Sequence, residues 1–497
     1  LNELQSIEES EKAVKKALKL NPKLTYAYCH LANIVKEKGE LIYAQKLYQK
    51  AFDCDASRVD IVSAILEISS KLSDFKSVNK YLPELDSLGL DPKYSINPFI
   101  VSHLEDNPRN QQIRAINFYN SAFIRPSSVI NYTKKDKINI GYFSGDFRDH
   151  PIMHVMARIF ELHDRSKFNI FIYSFGQEDK YTERLKNTNC CYRNIEKLSY
   201  LEGVELARND QIDIAIDLMG YTNGNRMSMF SYRMAPIQIH YLGTTTGSKE
   251  IDYLIADKNL IPEHLSQYYT EKVIYMPHSF IGFDNTKKVE ENKFTRQDMG
   301  LPSNSFVLAA FHNNFKITTK EINSWSRILD QTSNTVLWLS KPNNAAKINL
   351  IKAFEENGIN QNRIFFTERM AEYHDHLSRH SCADLFIDTF NFNGHSTSLD
   401  ALWTNLPLVC LLGKSFFARV SASYLTKLKL TELIAHTIDQ YENIIISLVN
   451  DPIRLKQIKN KLYKQKLINP LFDSEKYTKD LETKFINLVQ NLNSFEG

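Results

Sequence analysis

The chain has 497 residues, enough for about three domains at ~100–200 residues each. Its 43% hydrophobic content can fill sizeable cores, and 61 basic against 58 acidic residues leave a net charge of only +3, which gives no global electrostatic case for binding nucleic acid. No apolar run reaches the ~18 residues needed to cross a bilayer, and the six cysteines (Cys29, Cys54, Cys190, Cys191, Cys382 and Cys410) form no CxxC pair. Scattered thiols of this kind are those of a reducing, cytoplasmic compartment, without a zinc or disulfide framework. The first residues carry no secretory-signal pattern; the chain opens on Leu1 inside a helical pattern, as a piece of a longer protein would.

Residues 1–95 read as helical and repeated. Tyr28, Leu31, Ala32, Ala44, Tyr48, Ala51 and Ala56 place small and large apolar residues at helical offsets, and Pro22 with Ala56, like Ala17 with Ala51, are 34 residues apart. That period is the tetratricopeptide signature, a helix-turn-helix unit in which small residues let two helices approach and large ones fill the gap. One repeat, about 25–58, is clear; its neighbours are degenerate, so the region is expected to be the end of a longer array docked on the rest of the chain. Asp53-Cys54-Asp55 has the DxD form of some metal sites but falls at a helix end in this region, and is expected to be solvated. Residues 96–136, with Pro98, Pro108 and Pro126, read as a helical connector.

From 137 the texture changes. Short apolar runs at Ile138–Phe143, Phe168–Ser174, Ile212–Leu218 and Pro236–Leu242, separated by helical segments such as Met153–His163, predict a parallel α/β unit over 137–290. After a charged break near 285–304 the pattern restarts with strands at Phe306–Phe311, Thr335–Leu339, Ile364–Thr367, Leu385–Asp388 and Leu408–Leu412, and the tail from Gln440 is helical. A second α/β unit is therefore expected over 300–497. Two Rossmann-like units facing across a cleft, behind an all-α repeat region, make the GT-B architecture. Ligands in such sheets lie beyond the carboxyl ends of the strands, which directs attention to three loops.

The first is Asp388–Trp403, where Asn393-Gly394-His395-Ser396-Thr397 leads from a strand into a helix. Free N–H groups and hydroxyls at a helix start suit a diphosphate, and Asp400 lies one turn on, where it could accept ribose hydroxyls; a plain Ser/Thr helix cap has the same pattern. The second, Phe311–Ile317, offers Lys316 as a cation for a leaving phosphate, or as a surface lysine. The third, Ser144–His154, offers His150 before Pro151 as a base or substrate contact, or as a structural histidine. No cluster with metal-ligand spacing is apparent.

Gly141–His154, Gly220-Tyr221-Thr222, Ala235-Pro236-Ile237-Gln238, Leu242–Gly247, Tyr275-Met276-Pro277-His278, Asn393-Gly394-His395, Arg419–Ser423 and Pro470-Leu471-Phe472 together resemble, in order, the O-linked N-acetylglucosamine transferases of glycosyltransferase family 41, in the bacterial form with repeats in front. The resemblance implies an inverting transfer of N-acetylglucosamine from UDP-GlcNAc to Ser/Thr hydroxyls of proteins, with no metal and no cofactor besides the UDP-sugar co-substrate, and with protein acceptors reaching the cleft and the repeats. It assigns Lys316 to the departing UDP; His395, Ser396 and Thr397 to the diphosphate; Asp400 to the ribose; Ala371, His376 and Arg379 to the uracil; Asn313 to the phosphates; and His150 to the sugar and acceptor. Asp210, His150 and the donor's own α-phosphate remain as candidate proton acceptors. The chain departs from the family at Asp213, where animal enzymes carry histidine, and at Tyr373, in place of a lysine that helps hold the nucleotide. A donor of another kind, GDP-fucose or UDP-glucose, and an inactive repeat scaffold are the alternatives; His395 with Asp400 matches the N-acetylglucosamine branch.

Overall fold

The computed structural model describes residues 2–123 and 135–493; Pro126 of the expected connector lies outside them. Five helices open the chain: α1 (Asn2–Leu20), α2 (Thr25–Glu37), α3 (Leu41–Cys54), α4 (Val59–Lys71) and α5 (Phe75–Tyr81). Ala32, Ala44 and Ala51 are fully buried among Leu31, Val35, Leu47 and Tyr48, so the small side chains lie where helices meet and the large ones fill the remaining space. Asp55 ends α3 with its carboxylate accepting from the Ser57 backbone N–H and hydroxyl, while Asp53 accepts from Gln49. The DxD sequence is a helix terminus.

The repeats are docked by asparagines. The last carbonyls of a helix have no intrahelical donor. Those of α4 receive side-chain amides from the second α/β unit: Asn314 donates to Lys71 O at 3.0 Å, Asn343 to Lys71 O at 2.9 Å, and Asn349 to Leu72 O at 2.9 Å. Helix α6 (Pro108–Ala122) of the connector starts with Asn107 accepting from two backbone N–H groups and Pro108 in the first turn, where its missing N–H costs nothing.

Strands β1 (Ile138–Ser144), β2 (Phe168–Ser174), β3 (Cys191–Asn194), β4 (Ile214–Asp217), β5 (Ile237–His240), β6 (Tyr253–Ala256) and β7 (Lys272–Tyr275) form one parallel sheet in the order β3-β2-β1-β4-β5-β6-β7. Helix α7 (Pro151–Leu162) follows β1. Strands β8 (Phe306–Ala310), β9 (Thr335–Ser340), β10 (Ile364–Thr367), β11 (Leu385–Ile387), β12 (Leu408–Leu411) and β13 (Ile434–Ala435) form the second, in the order β10-β9-β8-β11-β12-β13. Both sheets are covered on two faces, which is why central strands such as β1 and β8 read as near-continuous apolar runs. In each sheet the winding reverses once, between β1 and β4 and between β8 and β11.

The tail does not stay with the second unit. Its last helix, Ser474–Asn493, crosses back and packs on α7 of the first. Glu482 accepts from the Asp164 backbone N–H at 2.7 Å and lies 3.0 Å from His163 Nδ1, whose Nε2 meets the Tyr142 hydroxyl at 2.8 Å. A long amphipathic helix goes wherever a matching apolar face is open, and here that face is on the first unit. Glu482→Ala strips acceptors from two groups at this junction. It is expected to cost about 1–3 kcal/mol, read as a lower urea midpoint, with Glu482→Gln close to wild type.

Candidate active site

The four loops that leave the strands beside the two reversals face one another. They are Gly145–His150 after β1, Leu218–Thr222 after β4, Phe311–Lys316 after β8 and Asp388–His395 after β11. Two adjoining cavities lie between them. The wider, about 590 Å³, is lined by polar residues that include Asn313, His376, Arg379, Ser396, Thr397 and Asp400. The narrower, about 380 Å³, is lined by Phe99, Val155, Leu242, Phe280, Phe392 and Phe417 together with Lys316 and His395. His150, Asn313, Ser396 and Thr397 line both.

The helix Ser396–Trp403 opens toward this junction. Its N-cap residue is His395, with no side chain capping the first turn. The plain Ser/Thr cap therefore does not describe this terminus, and the positive end of the helix faces the cavity. The loop before it is shaped from beneath by Asp388: its Oδ1 accepts from Thr389 N at 2.9 Å and Gly394 N at 2.7 Å. At Gly394 a Cβ would stand 2.5 Å from both Ser398 Oγ and Thr397 Oγ1, so a larger residue would have to push these hydroxyls aside. His395 is half-buried, stacked on Phe392 and Phe417 at ring separations of 5.3 and 5.7 Å. Burial, with Lys316 adding to it, holds its imidazole well below the ordinary histidine range, so it is neutral at pH 7.

Lys316 enters from the opposite loop. Its Nζ donates to Asn393 O at 2.9 Å and sits 4.0 Å from the centre of the Phe392 ring. Burial lowers its pKa below the ordinary lysine value, and the Asp388 carboxylate opposes that shift; burial in turn pushes Asp388 up, with Lys316 among the groups that hold it down. The sequence identified the lysine but not its buried partner, whose only local signal is an acidic residue at the end of an apolar strand.

At the far end of the polar cavity, Arg379 donates to Glu368 O at 2.8 Å and to His376 Nδ1 at 2.7 Å. That bond leaves the ring proton of a neutral His376 on Nε2, 3.9 Å from Asp400 Oδ2. Ala371 is exposed at the rim, between the lining residues Met370 and Tyr373. Tyr373 donates to Asp400 Oδ1 at 2.6 Å.

On the first unit, His150 caps α7: its Nδ1 accepts from Ile152 N at 3.3 Å, and its Nε2 lies 3.7 Å from Asp146 Oδ2. Burial lowers its pKa, so the ring is neutral. With Nδ1 accepting, the ring proton is on Nε2, and His150 offers the cleft a donor rather than a base. Asp210 is not brought to the cleft. It ends the helix before β4, where Arg193 donates to it at 2.8 and 3.0 Å and Tyr173 at 2.8 Å. In a parallel sheet the residues preceding a strand lie at its amino edge, opposite the ligand edge, which removes Asp210 as a proton acceptor here. Asp213 lies at that same edge, accepting from Asn139 N and paired with Lys135, so its departure from the family does not touch the cavities. Among the described residues the one trio of metal-type ligands is Glu290, His374 and Asp375, and the Lys293 ammonium already pairs with both carboxylates at 3.0 and 2.6 Å.

Among the described residues, no helix is long and apolar enough to cross a membrane. The profile of Glycosyl transferase family 41 matches residues 114–292 and 286–481. A probable UDP-N-acetylglucosamine–peptide N-acetylglucosaminyltransferase (SEC) of Arabidopsis thaliana is 30% identical over 362 residues, covering 71% of this chain and 37% of that protein. The UDP-N-acetylglucosamine–peptide N-acetylglucosaminyltransferase of Caenorhabditis elegans is 25% identical over 462 residues, covering 70% and 40%. The chain thus spans well under half the length of these curated relatives. A mutant Thermobaculum terrenum O-GlcNAc transferase has a similar fold, with a TM-score of 0.79 at 24% identity over 99% of this chain and 95% of that one. With its two Rossmann-like sheets, its strand-end cleft and a family match across most of its length, this chain belongs to glycosyltransferase family 41.

Proposed function

We propose that the chain transfers N-acetylglucosamine from UDP-GlcNAc to Ser/Thr hydroxyls of proteins, with inversion and without a metal. The observation that carries this reading is the placement of half-buried Lys316 beside an uncapped helix N-terminus, at the junction of a polar cavity and an apolar one. Uracil then lies near Arg379 and His376, ribose on Asp400, the diphosphate at Ser396, Thr397 and Asn313, and the sugar beyond Lys316, where Phe392, Phe417 and Leu242 suit an acetamido methyl. The names borne by the plant and nematode relatives support the donor and the acceptor class. The acceptor hydroxyl oxygen bonds to the sugar's C1 as the bond from C1 to the β-phosphate oxygen breaks. UDP leaves with the electron pair, and its charge is met by the Lys316 ammonium and the helix N–H groups, which supply the positive charge a metal would otherwise bring. The hydroxyl proton goes to an α-phosphate oxygen of the donor, since His150 offers only a donor and Asp210 is remote. His150 Nε2–H then helps hold sugar or acceptor.

Thermal shift with UDP, GDP, UDP-GlcNAc, UDP-Glc and GDP-fucose tests the donor, because ligands that bind the native state raise the midpoint. UDP and UDP-GlcNAc are expected to stabilise; a shift with GDP and none with UDP overturns the reading. The pH profile gives a second expectation. Lys316 is lowered, so its charge is complete at low pH and is lost as pH rises, earlier than for an exposed lysine at ~10.4. The alkaline limb of kcat/KM, which reports the free enzyme, is expected below the ordinary lysine range; activity still rising at pH 10 contradicts this.

A further inference from the structure

Lys287 lies on the segment between the two sheets, in a charged stretch that has no sequence pattern of its own. Its side chain is only 4% exposed, and that of Asp400 3%. Lys287 Nζ is 3.2 Å from Asp400 Oδ1 and 3.2 Å from the Tyr373 hydroxyl, and lies 4.3 Å from the centre of the Phe283 ring. A lysine ammonium taken this far from water needs a strong partner, and here it has a single carboxylate in an aromatic box. Ammonium and phenol both engage Oδ1, which fixes the rotation of the carboxylate. Among the described residues no hydrogen bond reaches Oδ2, and Asp400 lines the polar cavity.

We infer that Lys287 is a positioning residue for donor binding: from the interdomain segment it locks Asp400 so that the free carboxylate oxygen meets the ribose hydroxyls, and so links nucleotide affinity to the seating of the two units. The inference rests on the reading of this cleft as a UDP-sugar site. It also accounts for the tyrosine at 373, whose hydroxyl shares Oδ1 with a cation delivered from another part of the chain.

The test is calorimetric binding of UDP and 2′,3′-dideoxy-UDP to the full chain. Wild type is expected to prefer UDP by about tenfold or more. Lys287→Met is expected to weaken UDP by about ten- to a hundredfold and to shrink the dideoxy penalty to under about threefold, with kcat at saturating donor within about threefold of wild type. Lys287→Gln, which keeps a donor without a charge, is expected to lose about tenfold in UDP affinity, and it carries the test if the methionine variant does not fold. Tyr373→Lys added to Lys287→Met is expected to recover most of the affinity, because a lysine at 373 reaches as far as the phenol it replaces. Variants that bind UDP within about twofold of wild type, or that keep the full dideoxy penalty, overturn the role of Lys287. Wild type that binds UDP and dideoxy-UDP equally, or binds neither, overturns the ribose reading itself and the inference with it.

Discussion

Lys316→Ala is expected to lower kcat by about a hundred- to a thousandfold while affinity for the intact UDP-sugar stays within about threefold. The asymmetry comes from where the charge appears. In the resting site the ammonium already has an acceptor in Asn393 O and a ring face in Phe392, so little is gained by meeting ground-state UDP-sugar. As the glycosidic bond breaks, negative charge grows on the β-phosphate, and a cation already held in place there stabilises it with little reorganisation. Lys316→Arg is not a rescue: the guanidinium is larger and planar, and the lysine is enclosed by Phe392, Asn393 and Asp388. Isothermal titration of UDP-GlcNAc without acceptor, beside initial rates, separates the two effects. Near-normal turnover in the alanine variant would sink the assignment of Lys316.

Asp388→Ala is expected to cost donor affinity about a hundredfold, and Asp388→Asn less than about tenfold. Asp388 does not touch the donor in this reading. It holds the N–H groups of Thr389 and Gly394, and each such group left buried without an acceptor costs about 1–3 kcal/mol. The alanine variant leaves both, so the loop is expected to relax away from the geometry that presents Ser396 and Thr397. Asparagine keeps an oxygen at Oδ1 and places its amide where Oδ2 has no hydrogen-bond partner among the described residues. It also removes the carboxylate that holds the Lys316 pKa up, so the alkaline limb of kcat/KM moves to lower pH in the asparagine variant. A limb that stays in place would show that the two groups do not interact across the loop.

Much of the fold is legible in the sequence because central strands of two-sided parallel sheets are unbroken apolar runs; β1, β2, β8 and β9 are found where those runs lie. The strands that escape notice are short or at edges. Strand β3 reads Cys-Tyr-Arg-Asn with exposed ends, β7 begins on an exposed lysine, and β13 has two residues. The loop Asn393–Thr397 draws notice in the sequence because helix-start chemistry is local. Asp210 has no local signal of its remoteness: the four-residue strand β4 separates it from the ligand edge of the sheet, which only the fold shows. Lys287 and Asp400 are 113 positions apart, and Glu482 and His163 are 319 apart. Neither pair leaves a periodicity or motif to read, because each is created only when two units pack.

The proposed transfer is put to its sharpest test by intact-mass and fragmentation analysis of a Ser/Thr-rich peptide pool incubated with the purified chain and UDP-GlcNAc, UDP-Glc or GDP-fucose. The expected product is one N-acetylhexosamine added to a serine or threonine with UDP-GlcNAc, and its formation is lost in Lys316→Ala. A hexose or deoxyhexose added in its place, or an asparagine as the modified residue, would contradict the proposal.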